Sequence, residues 1–173
     1  MKLHVIFTGR TVGKIYQEAI ADYSRRLGHY LPFSLEEIPD LKNARSLSES
    51  EQKEREADAV LASLKSGDIL ILLDERGKEY TSRGFSSFME QKMHSGGRRL
   101  VFLIGGPYGF SPRIYEQAQG MVSLSQMTFS HQMVRLFLVE QLYRACTILK
   151  GEPYHHDWSL PAFVSVKRSF ALF

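Results

Sequence analysis

His131 and Arg135 stand four residues apart in SHQMVR, close to one helical turn, so a helix there carries both on one face. Imidazole titrates near neutrality and can accept a proton, while a guanidinium can hold a phosphate or a base carbonyl. Helix capping by His131 and a surface ion pair at Arg135 are the plainer alternatives, and the spacing leaves them open. Tyr154, His155 and His156 form a second polar group in PYHH. Adjacent histidines do not have the i, i+4 spacing of metal ligands, and the single cysteine, Cys146, has no second thiol, so no metal is expected. The third candidate is FLIGGPYGFSP at residues 102–112, where an apolar strand runs into Gly105, Gly106 and Gly109. A Walker loop would place Lys and then Ser or Thr after the last glycine, but Phe110 and Ser111 stand there, and the dinucleotide fingerprint is also absent as spaced. Two readings remain: a tight strand-to-helix turn, or bare main chain against which an adenosine or sugar can lie.

These groups need a scaffold, and the pattern supplies one. Apolar runs at residues 2–8, 33–38, 69–73, 100–104 and 121–125 read as strands. Between them lie helical stretches. The first starts at Lys14 with a stripe of Ile15, Ala19, Tyr23 and Leu27. A second runs to about Lys65 from a capping box of Ser48 and Glu51, a third covers residues 82–93, and a fourth opens at Ser111-Pro112 with serine as its cap. A long helix spans residues 132–150 and is apolar on more than one face, which suits burial or a dimer contact. Asp74 to Gly77 reads as a turn that ends the third strand. Strands alternating with helices predict an α/β fold with a parallel sheet and helices on both faces. In such sheets ligands bind at the carboxyl ends of strands, here Leu73-Asp74, residues 105–109 and residues 125–131.

The bulk numbers fit a globular protein: 173 residues, 43% hydrophobic, 24% charged, net charge +3. The chain is long enough for one domain with a sizeable core. The charge balance allows an RNA partner without demanding one, and Arg25-Arg26, Arg98-Arg99 and Lys167-Arg168 are the clusters that could meet phosphates. No apolar run reaches membrane length and no signal peptide opens the chain, so a cytoplasmic protein is expected, with Cys146 as a buried, inert thiol.

FLIGGPYGFSP followed by SLSQMTFSHQMVRLFLVEQLYRACTILKGEPYHH resembles the signature of the SPOUT methyltransferases. Within that family it is similar to the enzymes that methylate N3 of a pseudouridine in bacterial 23S rRNA. The resemblance runs from Met1 to about His156 and leaves residues 157–173 as a C-terminal extension. It implies a sheet whose C-terminal segment threads a loop to make a deep trefoil knot, and a homodimer with the active site at the interface. It also implies S-adenosylmethionine as cofactor, surrounded by Leu73, Gly105, Gly106, Ser125, Gln126, Met127, Thr128, Phe129 and Ser130. The catalytic candidates are His131 as proton acceptor, Arg135, Tyr154 and His155, and the substrate is 23S rRNA in the assembled ribosome. A tRNA substrate and an inactive ribosome-binding protein of the same fold are the alternatives. The family continues its terminal motif with Arg or Lys, where this chain has His156.

Overall fold

A computed structural model describes residues 1–156. The extension 157–173, with Lys167-Arg168, lies outside the described residues. Five strands, β1 (Lys2–Thr8), β2 (Phe33–Ile38), β3 (Asp68–Glu79), β4 (Arg99–Ile104) and β5 (Gly120–Ser123), form one parallel sheet in the order β2-β1-β4-β3-β5. The helices are α1 (Lys14–Leu27), α2 (Glu49–Ser63), α3 (Ser82–His94), α4 (Pro112–Gln117) and α5 (His131–Leu149).

Alternate side chains of the strands divide the core in two. Leu3, Val5, Phe7, Leu100 and Phe102 meet α1, α3 and α5 on one face, and Ile6, Leu70, Leu72, Val101 and Leu103 meet α2 and α4 on the other. Both faces are thus covered, which is why these strands read as continuous apolar runs.

Local capping explains where most helices begin. Ser48 and Glu51 complete their capping box, Thr81 accepts from the Gly84 amide, and Ser130 accepts from the Met133 amide at the start of α5. Ser111 departs from expectation. It occupies the cap position of α4, but its hydroxyl makes no capping bond and is buried without a partner. On α1 the core-facing stripe is buried Ile20 and Leu27 with partly buried Tyr16 and Tyr23, and Ile15 is 73% exposed, because the helix turns the neighbouring register toward α5.

The segment 74–77 does not end its strand. β3 continues to Glu79, and Val122 of β5 pairs first with Leu73 and again with Lys78, so residues 74–77 bulge out between two stretches of one ladder. Gly77 permits this, since a Cβ there would lie 2.5 Å from the Val122 carbonyl carbon.

At the opposite end of the sheet, Arg99 and Asp68 form a part-buried bidentate pair, with Nε to Oδ1 at 2.7 Å and Nη2 to Oδ2 at 2.5 Å. Arg99 also donates to the Ser63 carbonyl, so it is a structural cation and not an RNA contact. Burial would raise the Asp68 pKa, but the Arg99 hydrogen bonds, the Lys65 amide and the Arg99 charge together hold it below the ordinary carboxylate value. A depressed acid stabilises the fold above its unfolded pKa and loses that contribution as pH falls through the folded value. Asp68→Asn should therefore lower the unfolding free energy at pH 7 by about 2 kcal/mol in urea titration, the scale of hydrogen bonding to a charged group. The gap to wild type should close in acid.

Candidate functional site

The carboxyl ends of β3, β4 and β5 open into a cleft of about 860 Å³, within the range of small-molecule sites. Leu73, Gly105, Gly106, Ser125, Gln126, Met127, Thr128, Phe129 and His131 all line it, although they come from distant parts of the chain. Ser130 stands just outside as the cap of α5. The β5–α5 loop is braced from within: the Ser123 hydroxyl donates to the Ser125 carbonyl at 3.0 Å, the Ser125 hydroxyl accepts from the Met127 amide at 3.0 Å, and Phe129 stacks edge-on against Phe137. Met127 is left 74% exposed.

The glycines after β4 have a different reason from the one expected. A Cβ on Gly105 would lie 2.8 Å from the Phe110 ring, and one on Gly106 would lie 2.3 Å from a Glu56 carboxylate oxygen. The space freed by the missing side chains is filled by the protein itself, by a core aromatic and by an acid of α2. Glu56 is nearly buried, accepts from Gln52 at 2.8 Å, and has its pKa raised by that burial. The loop is therefore clamped from behind, and its other side faces the cleft.

A polar cluster on the β3 bulge completes the rim: Asp74, already expected at a ligand-binding strand end, is joined there by Arg76 and Tyr115, which the sequence did not single out. Asp74 accepts from the Arg76 amide and guanidinium and from the Tyr115 hydroxyl, and Arg76 lies 4.7 Å over the Tyr115 ring. Burial raises the Asp74 pKa, but these hydrogen bonds outweigh it and hold the carboxylate ionised. Burial and Asp74 push Tyr115 up to about 12. Position at a strand end marked Asp74, but for Arg76 the sequence offered only DERG, which reads equally well as a turn.

Arg135 does not reach the surface. It is fully buried, with its guanidinium 5.1 Å over the Phe7 ring. Nη1 donates to Thr11 Oγ1 at 3.1 Å, and Nη2 donates to the Thr8 carbonyl at 2.8 Å and to His131 Nε2 at 2.9 Å. Thr11 in turn donates to Glu37. Burial lowers the Arg135 pKa, and Glu37 and Asp40 raise it. A residue so enclosed cannot grip an RNA phosphate, and the expected anchoring role is withdrawn. His131 is part-buried, and burial and then Arg135 lower its pKa against the opposing effects of Thr8 and Asp40.

Tyr154 and His155 do not line this cleft. The Tyr154 hydroxyl donates to Glu140 at 3.1 Å and meets the Tyr23 hydroxyl at 3.3 Å, with its ring edge-on to Tyr143 and beneath Arg144. Glu140 lies nine residues beyond His131 on α5, roughly 13 Å along the axis. Cys146 is buried, with its thiol pushed up to about 12, as an inert side chain should be. Among the described residues no group of His, Cys, Asp and Glu could hold a metal ion, and no helix is long and apolar enough to cross a membrane.

The two glycines should respond differently to substitution. An aromatic ring locked in the core cannot yield, whereas a carboxylate can swing aside. Gly105→Ala should cost about 2–3 kcal/mol in urea denaturation and Gly106→Ala about 1 kcal/mol. Adding Glu56→Ala should remove the second penalty and leave the first, which a double-mutant cycle reads directly.

Residues 1–155 match the family described as "Predicted SPOUT methyltransferase". The chain is 58% identical over 157 residues to the ribosomal RNA large subunit methyltransferase H of Flavobacterium johnsoniae, covering 91% of this chain and 100% of that protein. The proteins of the same name from Parabacteroides distasonis and Phocaeicola vulgatus are each 55% identical over 157 residues, again with 91% and 100% coverage. With its glycine loop, its β5–α5 loop and the SHQMVR turn gathered at one cleft, the chain belongs to the SPOUT methyltransferase family.

Proposed function

We propose that this methyltransferase uses S-adenosylmethionine to methylate N3 of a pseudouridine in bacterial 23S rRNA, acting in the cytoplasm on the assembled ribosome as a knotted homodimer. The observation that carries the reading is the meeting of Leu73, the 105–109 loop and residues 125–129 in one cleft of about 860 Å³. Relatives that share more than half of its residues are named for large-subunit ribosomal RNA methylation. The cleft fits the cofactor: Leu73, Leu124, Met127 and Phe129 offer apolar contact for a purine, and the clamped main chain of the glycine loop supplies amides and carbonyls already in place. When bound, the cofactor would supply an electrophilic methyl group, and Leu73, the 105–109 loop and residues 125–129 would hold it facing the target nitrogen. The chain contributes orientation and exclusion of water, the main requirements of an in-line displacement.

The dimer reading gives Tyr154 and His155 a place. About 13 Å of α5 separates the Tyr154 contact at Glu140 from His131, so Tyr154, and His155 next to it in the chain, serve the cleft of a second copy rather than their own. Val12, Ile15 and Met133, exposed where α1 and α5 begin, are apolar surface for such a contact. Arg25 and Arg26 are exposed, share Asp22, and lie with His29 and Lys150 around a second, shallower cleft of about 510 Å³, where RNA phosphates can bind.

Mass mapping of 23S rRNA from cells lacking the protein should show loss of one methyl on a pseudouridine, and purified protein should restore it on ribosomes. Loss from a tRNA instead, or no loss, sinks the assignment. Thr128→Trp, which fills the cleft, and His155→Ala should each be inactive. Mixed and re-associated, they should recover about a quarter of wild-type turnover, because half the dimers are mixed and each holds one intact site. No recovery removes the shared site.

A further inference from the structure

Arg135 has five N–H donors and no acceptor, so the 2.9 Å contact between its Nη2 and His131 Nε2 is a bond only if Nε2 offers a lone pair. A neutral imidazole with a lone pair on Nε2 carries its proton on Nδ1. The Thr8 carbonyl also lies 3.3 Å from Nε2, but that oxygen already accepts from Arg135 Nη2 at 2.8 Å. An Nε2–H ring would keep the weaker contact and set two donors face to face. Arg135 cannot turn away: it is fully buried, packed on Phe7 and tied through Thr11 to Glu37. Adding a proton to the ring would put a second cation beside the first, where Asp40 acts on both groups and Glu37 on Arg135. Among the described residues Nδ1 has no hydrogen-bond partner, and it is not one of the buried orphaned atoms, while His131 lines the cleft.

We infer that Arg135 is a positioning residue that locks His131 as the Nδ1–H tautomer, and that this N–H donates to a carbonyl oxygen beside the nitrogen being methylated. The imide nitrogen of the target base lies between two carbonyls, and the charge left when its proton departs spreads onto both. A donor aimed at one of them stabilises the nucleophilic anion as it forms. His131 is thereby the opposite of the expected proton acceptor: its basic nitrogen is occupied by Arg135, and only its acidic one faces the reaction. The role in catalysis rests on the proposed function; the tautomer does not.

Long-range proton–nitrogen NMR of the protein without substrate should show His131 protonated at Nδ1 near pH 7.5, the signal being assigned by its loss in His131→Asn. An Nε2–H pattern overturns the inference. In turnover, the Asn amide sits near the Nδ1 position and the Gln amide near Nε2. His131→Asn should stay within about tenfold of wild type, while His131→Gln and His131→Ala should fall about 100-fold, the scale of one lost donor. Equal losses in the Asn and Gln variants end the donor role. Arg135→Met, checked for folding by urea titration, should shift the ring toward Nε2–H. If that variant unfolds, the wild-type tautomer and the Asn and Gln pair still decide. A wild-type protein that methylates no pseudouridine would overturn the proposed function and this donor role with it, leaving the tautomer result to judge Arg135.

Discussion

A guanidinium with no exposed surface is the constraint around which this site is arranged. Arg135 enters the core from α5 and spends its donors on the end of β1, on the loop after it, and on His131. A buried cation is costly unless it is partnered, and here both terminal nitrogens are engaged while Nε is buried without a partner. Its charge is met by Glu37 and Asp40 at the end of β2, and Gly9 leaves room for Asp40 and the guanidinium to converge. The bond to Thr8 ties α5 to the carboxyl edge of the sheet, which sets where the β5–α5 loop can lie. The same cation that holds the helix down also decides which nitrogen of His131 is free.

The remaining walls follow from parallel topology. β3, β4 and β5 all finish on the same side, so the segments that leave them must share that edge. Each is stiffened differently. The glycine loop is pinned by Phe110 and Glu56, the β3 bulge by Asp74 with Arg76 and Tyr115, and the last loop by Ser123, Ser125 and the Phe129–Phe137 contact. A cleft whose main chain is already fixed gives up less conformational entropy when a ligand is bound.

Several differences between pattern and structure share one cause. Ile15 and Ile20 are equally apolar, and only the approach of α5 selects Ile20 for burial. DERG is a good turn, yet β5 draws the chain back into the ladder beyond it. Ser111 has the right residue type at the right place, but its hydroxyl faces the core. Arg99 reads as half of a basic cluster until Asp68 is brought beside it.

Local chemistry made much of this protein readable in one dimension. Continuous apolar runs marked a sheet covered on both faces, Ser48 with Glu51 began a helix, and the types and spacing of residues 102–135 and 153–155 carried the family. Such signals act within a few residues of themselves, through hydrogen bonds and side-chain period, and need no knowledge of distant chain. The environment of a polar group is not of that kind. That Arg135 is buried, that Gly106 makes room for an acid of α2, that His131 keeps its proton on Nδ1, and that Tyr154 lies far from its own cleft all depend on contacts between segments remote in sequence. Burial and pairing are properties of the packed chain, and here they turn an expected base into a donor.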